Sequence, residues 1–365
     1  MANKMKKIIL FLFLFFMPLS LGAQEKSDII FQAEVLEIVE QAENELPDGA
    51  KALQQNINLI GLNNGFEGKK VFFEGIGAYD VINKNIYQVG DKVLVVESSN
   101  DTGDRYYYIT DYVRSGVLRW LFFIFAALIV LVGKWKGLRS IFSLIFTFLV
   151  IVEFIIPKIL AGANPIEITI LGSFLILVFV VYLTEGWNKK SHIAVSSLFL
   201  SLLTTIVISY FFVELSKLSG LSSEETAFLI GIGEANINFK GLLFSGIIIG
   251  ALGVLDDVVM AQIATVEELR KANPLSDRKE IFKGAYSVGI SHISSMTNTL
   301  FLAYAGASLP LLVLFSSGQS AFGSINDAIN TEMIAEEIVR TLSGSIGLIL
   351  SVPLSTWLAV VFLKE

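Results

Sequence analysis

The sequence predicts a polytopic α-helical membrane protein with about seven transmembrane helices and a small N-terminal extracytoplasmic β-barrel-like domain. Three observations carry this. Long apolar runs follow one another from residue 116 onward. Residues 24–115 instead hold short runs of β-branched and aromatic residues between Gly, Asn and Asp. The chain opens on three lysines and an apolar run that ends in small residues, the pattern of a secretory leader. At 53% hydrophobic residues, with 28 phenylalanines, the whole is too apolar for an ordinary soluble domain.

The leader comes first. Lys4, Lys6 and Lys7 precede Ile8–Met17, and Pro18 and LSLGA follow. The apolar core is short for a span, so residues 1–23 read as a signal peptide, with an uncleaved anchor as the alternative. In either case residues 24–115 are delivered outside the cytoplasm. Five strands are expected there, in FQAEVLEIVE, NINLIGL, KKVFFEG, KVLVVESS and RYYYITDYV, with turns at LNNGFEG, YQVGDK and SSNDTGD. That number in so short a segment suggests an OB or SH3 type of barrel. It shows no basic stripe, and with a net charge of −7 no nucleic-acid partner is expected.

Residues 116–365 form the transmembrane helical domain. Its spans are expected at about 117–133, 138–157, 166–184, 192–213, 241–262, 285–305 and 343–363, each near the length that crosses a hydrocarbon core. Leu309–Phe315 is too short to span alone; it either extends the sixth span or forms a short outer helix, and an eighth span stays open. The loops KWKGLR, EGWNKKS and 265–284 carry the positive charge and fall on one side, which places the C-terminus in the cytoplasm of a cell membrane. The 265–284 stretch is amphipathic and broken at Pro274.

The fifth span, GIIIGALGVLDDVVMAQIA, carries the chemistry. Asp256 and Asp257 lie inside an apolar helix, where an ionisable group costs roughly 3 kcal/mol or more and marks a functional site. At about 100° per residue, Gly246, Gly250, Gly253, Asp257, Ala261 and Ala264 share one narrow face. Small residues at that spacing admit a second helix, so Asp257 is expected in a helix–helix contact, with Asp256 about a quarter-turn away. Gln262 follows on the same helix. The sixth span puts His292, Ser295 and Thr299 on one face, bordered by Asn298. Counting from the inner ends, Asp257 lies ~10 Å and His292 ~12 Å deep, so the two are expected to face each other. Asn238 stands in the lead-in to the fifth span, with Glu234 and Asn236.

A carboxylate and an imidazole at one depth suit a proton or cation relay through Asp256, Asp257 and His292. The bland reading makes His292 and Thr299 interhelical hydrogen-bond glue. No catalytic residue, metal site or cofactor is expected: the chain has no cysteine and two histidines, and no HExxH, phosphate loop or nucleophile elbow. An intramembrane aspartyl enzyme would need a second acid on another span, and none is visible.

Three stretches resemble the YibE/F-like family of bacterial membrane proteins: YYYITDYVR, GALGVLDDVVMAQIATVEEL and GAYSVGISHISSMTNTLFLAYAGASLPLL. The family name brings no biochemical activity with it. A second resemblance covers about residues 236–360. ANINFKGLLFSGIIIGALGVLDDVVMAQIATVEEL is similar to the fourth helix of an RND-type transporter half, the SecD/SecF branch included. It implies that Asp256 and Asp257 are the relay acids of proton or sodium movement, with Asn298 or Thr299 as partners. The large porter domain is missing, and residues 24–115 stand before the spans rather than between them. The substrate therefore stays open. The expected function is transport, or a part in it, with a membrane scaffold or accessory factor acting through its ectodomain as the alternative. The expected partners are the lipid bilayer and either a further copy of the chain or a second membrane protein.

Overall fold

The structure, a computed structural model, describes residues 29–45, 51–77, 86–99, 105–231, 233, 236–316 and 325–363. The leader 1–23 and Glu234 lie outside the described residues. The chain divides into two compact units, residues 1–124 and 125–365.

The first unit holds five strands, β1 (Ile29–Glu45), β2 (Lys51–Gly61), β3 (Lys70–Glu74), β4 (Lys92–Ser99) and β5 (Arg105–Tyr112). All five expected strands are present. They form one antiparallel sheet in the order β3-β2-β1-β4-β5. Alternate residues bury Phe31, Ala33 and Val35 of β1, Ile57 and Leu59 of β2, Val71 and Phe73 of β3, Val93 and Val95 of β4, and Ile109 of β5. Phe66, from the turn after β2, stacks on Phe31 at 4.0 Å. The register shifts between Val35 and Glu37 and between Ile38 and Glu40. Such bulges bend a strand and sharpen its twist, and here the sheet curls until the edge strands β3 and β5 run beside each other.

The helices are α1 (Ser115–Leu149), α2 (Ile156–Leu160), α3 (Pro165–Glu185), α4 (Lys189–Leu215), α5 (Glu224–Gly231), α6 (Phe239–Ala272), α7 (Arg278–Ala307), α8 (Leu309–Ser316), α9 (Ile325–Ile329) and α10 (Glu332–Phe362). α1 is broken. Lys134 takes φ 49° and ψ −125°, and a Cβ on Gly137 would run into the carbonyl oxygen of Ile129. Eight residues apart in a straight helix lie ~12 Å from each other, so the chain doubles back at this point. A π-helical turn, Val150–Ile155, joins α1 to α2 just before Pro157, which has no N–H to continue the ladder.

Among the described residues, five helical stretches are long and apolar enough to cross a membrane: 115–160, α3, α4, α6 and α10. α7 is long but is not one of them. α10 starts at Glu332, eleven residues before the expected span, and Leu309–Ser316 is a helix of its own, set off from α7 at Ser308. The amphipathic stretch resolves at Pro274 as expected: α6 runs on to Ala272, and Asp277 caps α7 by accepting from the Glu280 N–H at 2.7 Å.

α6 is the axis of the second unit; α3, α4, α7 and α10 all pack against it. α10 also lies along α4, through small and hydroxyl residues. Ser197, Ser201, Thr205 and Ser209 of α4 and Ser351 and Ser355 of α10 are fully buried. A Cβ on Gly347 would run into the Thr205 hydroxyl, so the two backbones meet as closely as side chains allow. Gly347→Ala is therefore expected to destabilise the helical unit by about 1–3 kcal/mol, read as a lower melting temperature in detergent. Thr205→Ala in the same chain should restore part of the loss.

Candidate functional site

The site residues are placed by α6. Asn238 is its N-cap, its side-chain oxygen accepting from the Gly241 N–H at 2.9 Å. Ser245, one turn further, accepts from Thr169 of α3 at 2.8 Å and donates to the Pro165 carbonyl at 3.1 Å, which fastens α6 to the start of α3. Asn238 lies ~27 Å along the helix from Asp256, so its role is to start the helix and not to serve the acids.

Asp256 and Asp257 point to different environments. Asp256 is partly buried, and its Oδ1 is shut off from solvent with no hydrogen-bond partner. It faces a cavity of about 140 Å³ lined by Thr147 of α1, Ile151 of the π-helical turn, Ile176, Leu177 and Val180 of α3, and Ile249, Leu252 and Gly253 of α6. Among the described residues, Thr147 brings the only polar side chain to this wall apart from Asp256. The charges that act on Asp256 are Asp257 and Glu185, both negative. The cavity has room for several waters, which could meet the missing hydrogen bond.

Asp257 is exposed, contrary to the expectation that it lies in a helix–helix contact. The physical reason is where α7 sits. α7 packs on Val254 and Val258 through Ile293, Met296, Leu300 and Tyr304, to one side of the glycine face. Gly246 and Gly253 have nothing within 4 Å of where a Cβ would stand. The small-residue face is thus present and covered only in part: Gly250 meets Tyr304 of α7 and Ala261 and Ala264 are half-buried, whereas Gly246, Gly253 and Asp257 are left open by this chain.

Gln262 is almost fully buried, and its Nε2 donates to the Ala285 carbonyl of α7 at 3.2 Å and to Thr356 Oγ1 of α10 at 3.0 Å. It is a three-helix tie. On α7, His292 is half-buried, and Ser295, Asn298 and Thr299 are exposed; Thr299 donates to its own helix, at the Ser295 carbonyl, 3.1 Å away. Neither Asp257 nor His292 makes a side-chain hydrogen bond or ion pair among the described residues, so the structure does not join the expected pair directly.

Two polar clusters escaped the sequence reading. Towards the start of α10, Glu332 accepts from the backbone N–H groups of Ser219 and Gly220, Glu336 is buried with Oε1 unpartnered, and Arg340 pairs with Glu337 at 3.2 Å. With the last span drawn from residue 343, these acids belonged to no element; the i, i+4 spacing of Glu332, Glu336 and Arg340 was the available signal. At the other end of α6, Lys190 bridges Glu185 at 3.6 Å and Glu267 at 3.3 Å, which ties together α3, α4 and α6. His192 Nδ1 lies 2.6 Å from the Tyr182 hydroxyl. No group of three or more His, Cys, Asp or Glu residues suited to a metal ion occurs among the described residues.

The family model for YibE/F-like protein matches residues 121–365, which span the helical part described above except for the first six residues of α1. The chain belongs to the YibE/F-like family. No curated protein and no solved structure matches it. Family and apolar helices together make this YibE/F-like protein a multi-pass membrane protein, and the match includes α6 and its acids.

Replacing Gln262 with Leu keeps the volume but removes both hydrogen bonds, with an expected loss of roughly 1 kcal/mol of stability. Thr356→Val should cost a similar amount. In the double variant the two losses should fall short of additive when thermal unfolding is compared across the four proteins.

Proposed function

We propose that this YibE/F-like protein is a transporter, or a component of one, coupled to proton or cation movement through Asp256. The observation that carries this reading is the carboxylate oxygen of Asp256, closed off from solvent, without a partner, on the wall of a cavity inside an apolar helix bundle. Leaving such a group unsatisfied is costly, and a carboxylate that takes up and releases a proton from water in the cavity has a use for that cost. The donor set favours a proton over a metal cation. Among the described residues only Asp256 and Thr147 offer side-chain oxygens to the cavity, whereas hard cations take about six oxygen ligands. Asp257 and His292 are further members of the relay in this reading, with Ser295, Asn298 and Thr299 as supporting polar groups.

The membrane arrangement we propose has seven spans. The reversal at Lys134 makes two of the 115–160 stretch, and α7 adds the one that composition alone does not mark. The β-sheet unit is outside the cytoplasm, and the basic loops and C-terminus are inside.

A second reading, an accessory factor working through its ectodomain, is favoured by one feature of the sheet. Phe72 and Glu74 of β3 and Arg105, Tyr106 and Tyr108 of β5 line a groove of about 580 Å³.

Purified protein in liposomes under an imposed proton gradient separates the two. Wild type is expected to carry flux, and Asp256→Asn, which keeps size but cannot bind and release a proton, is expected to abolish it while staying monodisperse. Flux that survives in Asp256→Asn removes the relay. Absence of flux in both folded proteins leaves the accessory reading.

A further inference from the structure

The most polar of the long helices is, with α1, one of the two least covered. α7 has 30 residues, ~45 Å of helix, yet only Ile281, Ala285, Gly289 and Leu300 are buried. Ser291, Ser294, Ser295, Asn298 and Thr299 are exposed along it, and so is Asp257 on the adjoining face of α6. Thr299 is met by its own helix, and Val288, Ile290, Phe301 and Leu302 are exposed on α7 as well. The remaining hydroxyls, the amide and Asp257 show no partner among the described residues. In hydrocarbon such groups are unfavourable, so lipid alone is a poor cover for the polar part of this surface.

Register decides what can. A Cβ on Gly289 would run into Gln262 Nε2, and the Tyr304 hydroxyl would lie 2.9 Å from a Cβ on Gly250. Val258 of α6 and Ile293 and Met296 of α7 belong to one apolar cluster, with Leu348 and Val352 of α10. These contacts align α6 and α7 antiparallel and put Asp257 level with the turn of Ser291 to Ser295. A two-fold axis along the membrane normal preserves depth. It therefore brings the acceptor Asp257 of one copy level with the hydroxyl donors of another, and the converse contact forms by symmetry. The open face at Gly246 and Gly253 leaves room for the second α7 to come close.

We infer that the α6–α7 face is the interface of a homodimer in which Asp257 of each copy accepts hydrogen bonds from Ser291 and Ser295 of the other. This shares with the proposed function the placing of α6 and α7 in the bilayer, but it does not depend on the relay. It makes the site at Asp257 incomplete in one chain.

The absence of cysteine from the sequence gives a direct test. Two differently tagged full-length copies are co-expressed, one Gly253→Cys and the other Asn298→Cys, and membranes are oxidised. The expected product carries both tags at about twice the 40.1 kDa of one chain, whereas Val207→Cys copies, altered on an exposed face of α4, stay single. Wild type in lipid nanodiscs should likewise have the mass of two chains. A single-chain mass with no cross-link overturns the proposal. So does rapid labelling of Ser295→Cys by a membrane-impermeant maleimide, which would mean a water-filled cleft in place of the interface. A cross-linked dimer that carries no flux would leave this inference standing and remove the transport reading alone.

Discussion

The structure depends on one helix being enclosed. α6 is packed by α3, α4, α7 and α10, and its buried face runs from Phe239 through Leu243, Ile247, Ala251, Leu255 and Val259 to Val266. On the sides of α6 that these neighbours cover, a polar group cannot turn to solvent and has to be met by a partner or left without one. Ser245 finds Thr169 and Pro165, and Gln262 finds Ala285 and Thr356. The Oδ1 of Asp256 finds nothing. It is set apart from the other polar groups by this lack, not by its charge alone.

The same enclosure explains the composition around it. Helices bring their backbones close in an apolar medium by using small residues, because no difference in hydrophobicity drives them together. Along α4 and α10 these are serines, threonines and Gly347. The ends of the bundle are held differently. Lys190 ties three elements with two carboxylates, and the Arg270 guanidinium donates to the Val360 carbonyl at 2.6 Å. Hydroxyls within and ion pairs at the ends follow the change of dielectric along each helix.

Much of the architecture was legible in the residues. Short runs of β-branched and aromatic residues between Gly, Asn and Asp located all five strands, and Pro274 located the break before α7. Start and stop signals were less informative where a helix outran its apolar part. Glu332, Glu336 and Arg340 read as loop because hydropathy reports the span and not the helix, so the acids at the start of α10 were missed. Helical phase placed Asp257 with Gly246, Gly250 and Gly253, and that grouping holds geometrically. It was the step from a small-residue face to an occupied one that failed: phase says which residues share a face and cannot say which neighbour fills it.

By itself, then, the sequence determined the two-part organisation, the identity of the acid-bearing helix and the polar character of α7. All of these follow from local periodicity and from the cost of placing charge among apolar residues. Only the tertiary structure decided that the adjacent acids part company, Asp256 towards a cavity walled by α1 and α3 and Asp257 towards the open side. It also decided that Gln262 binds three helices together. The reason is physical. Two residues in succession on a helix differ by about 100° in direction, and which direction is covered depends on side chains more than seventy residues away in the chain.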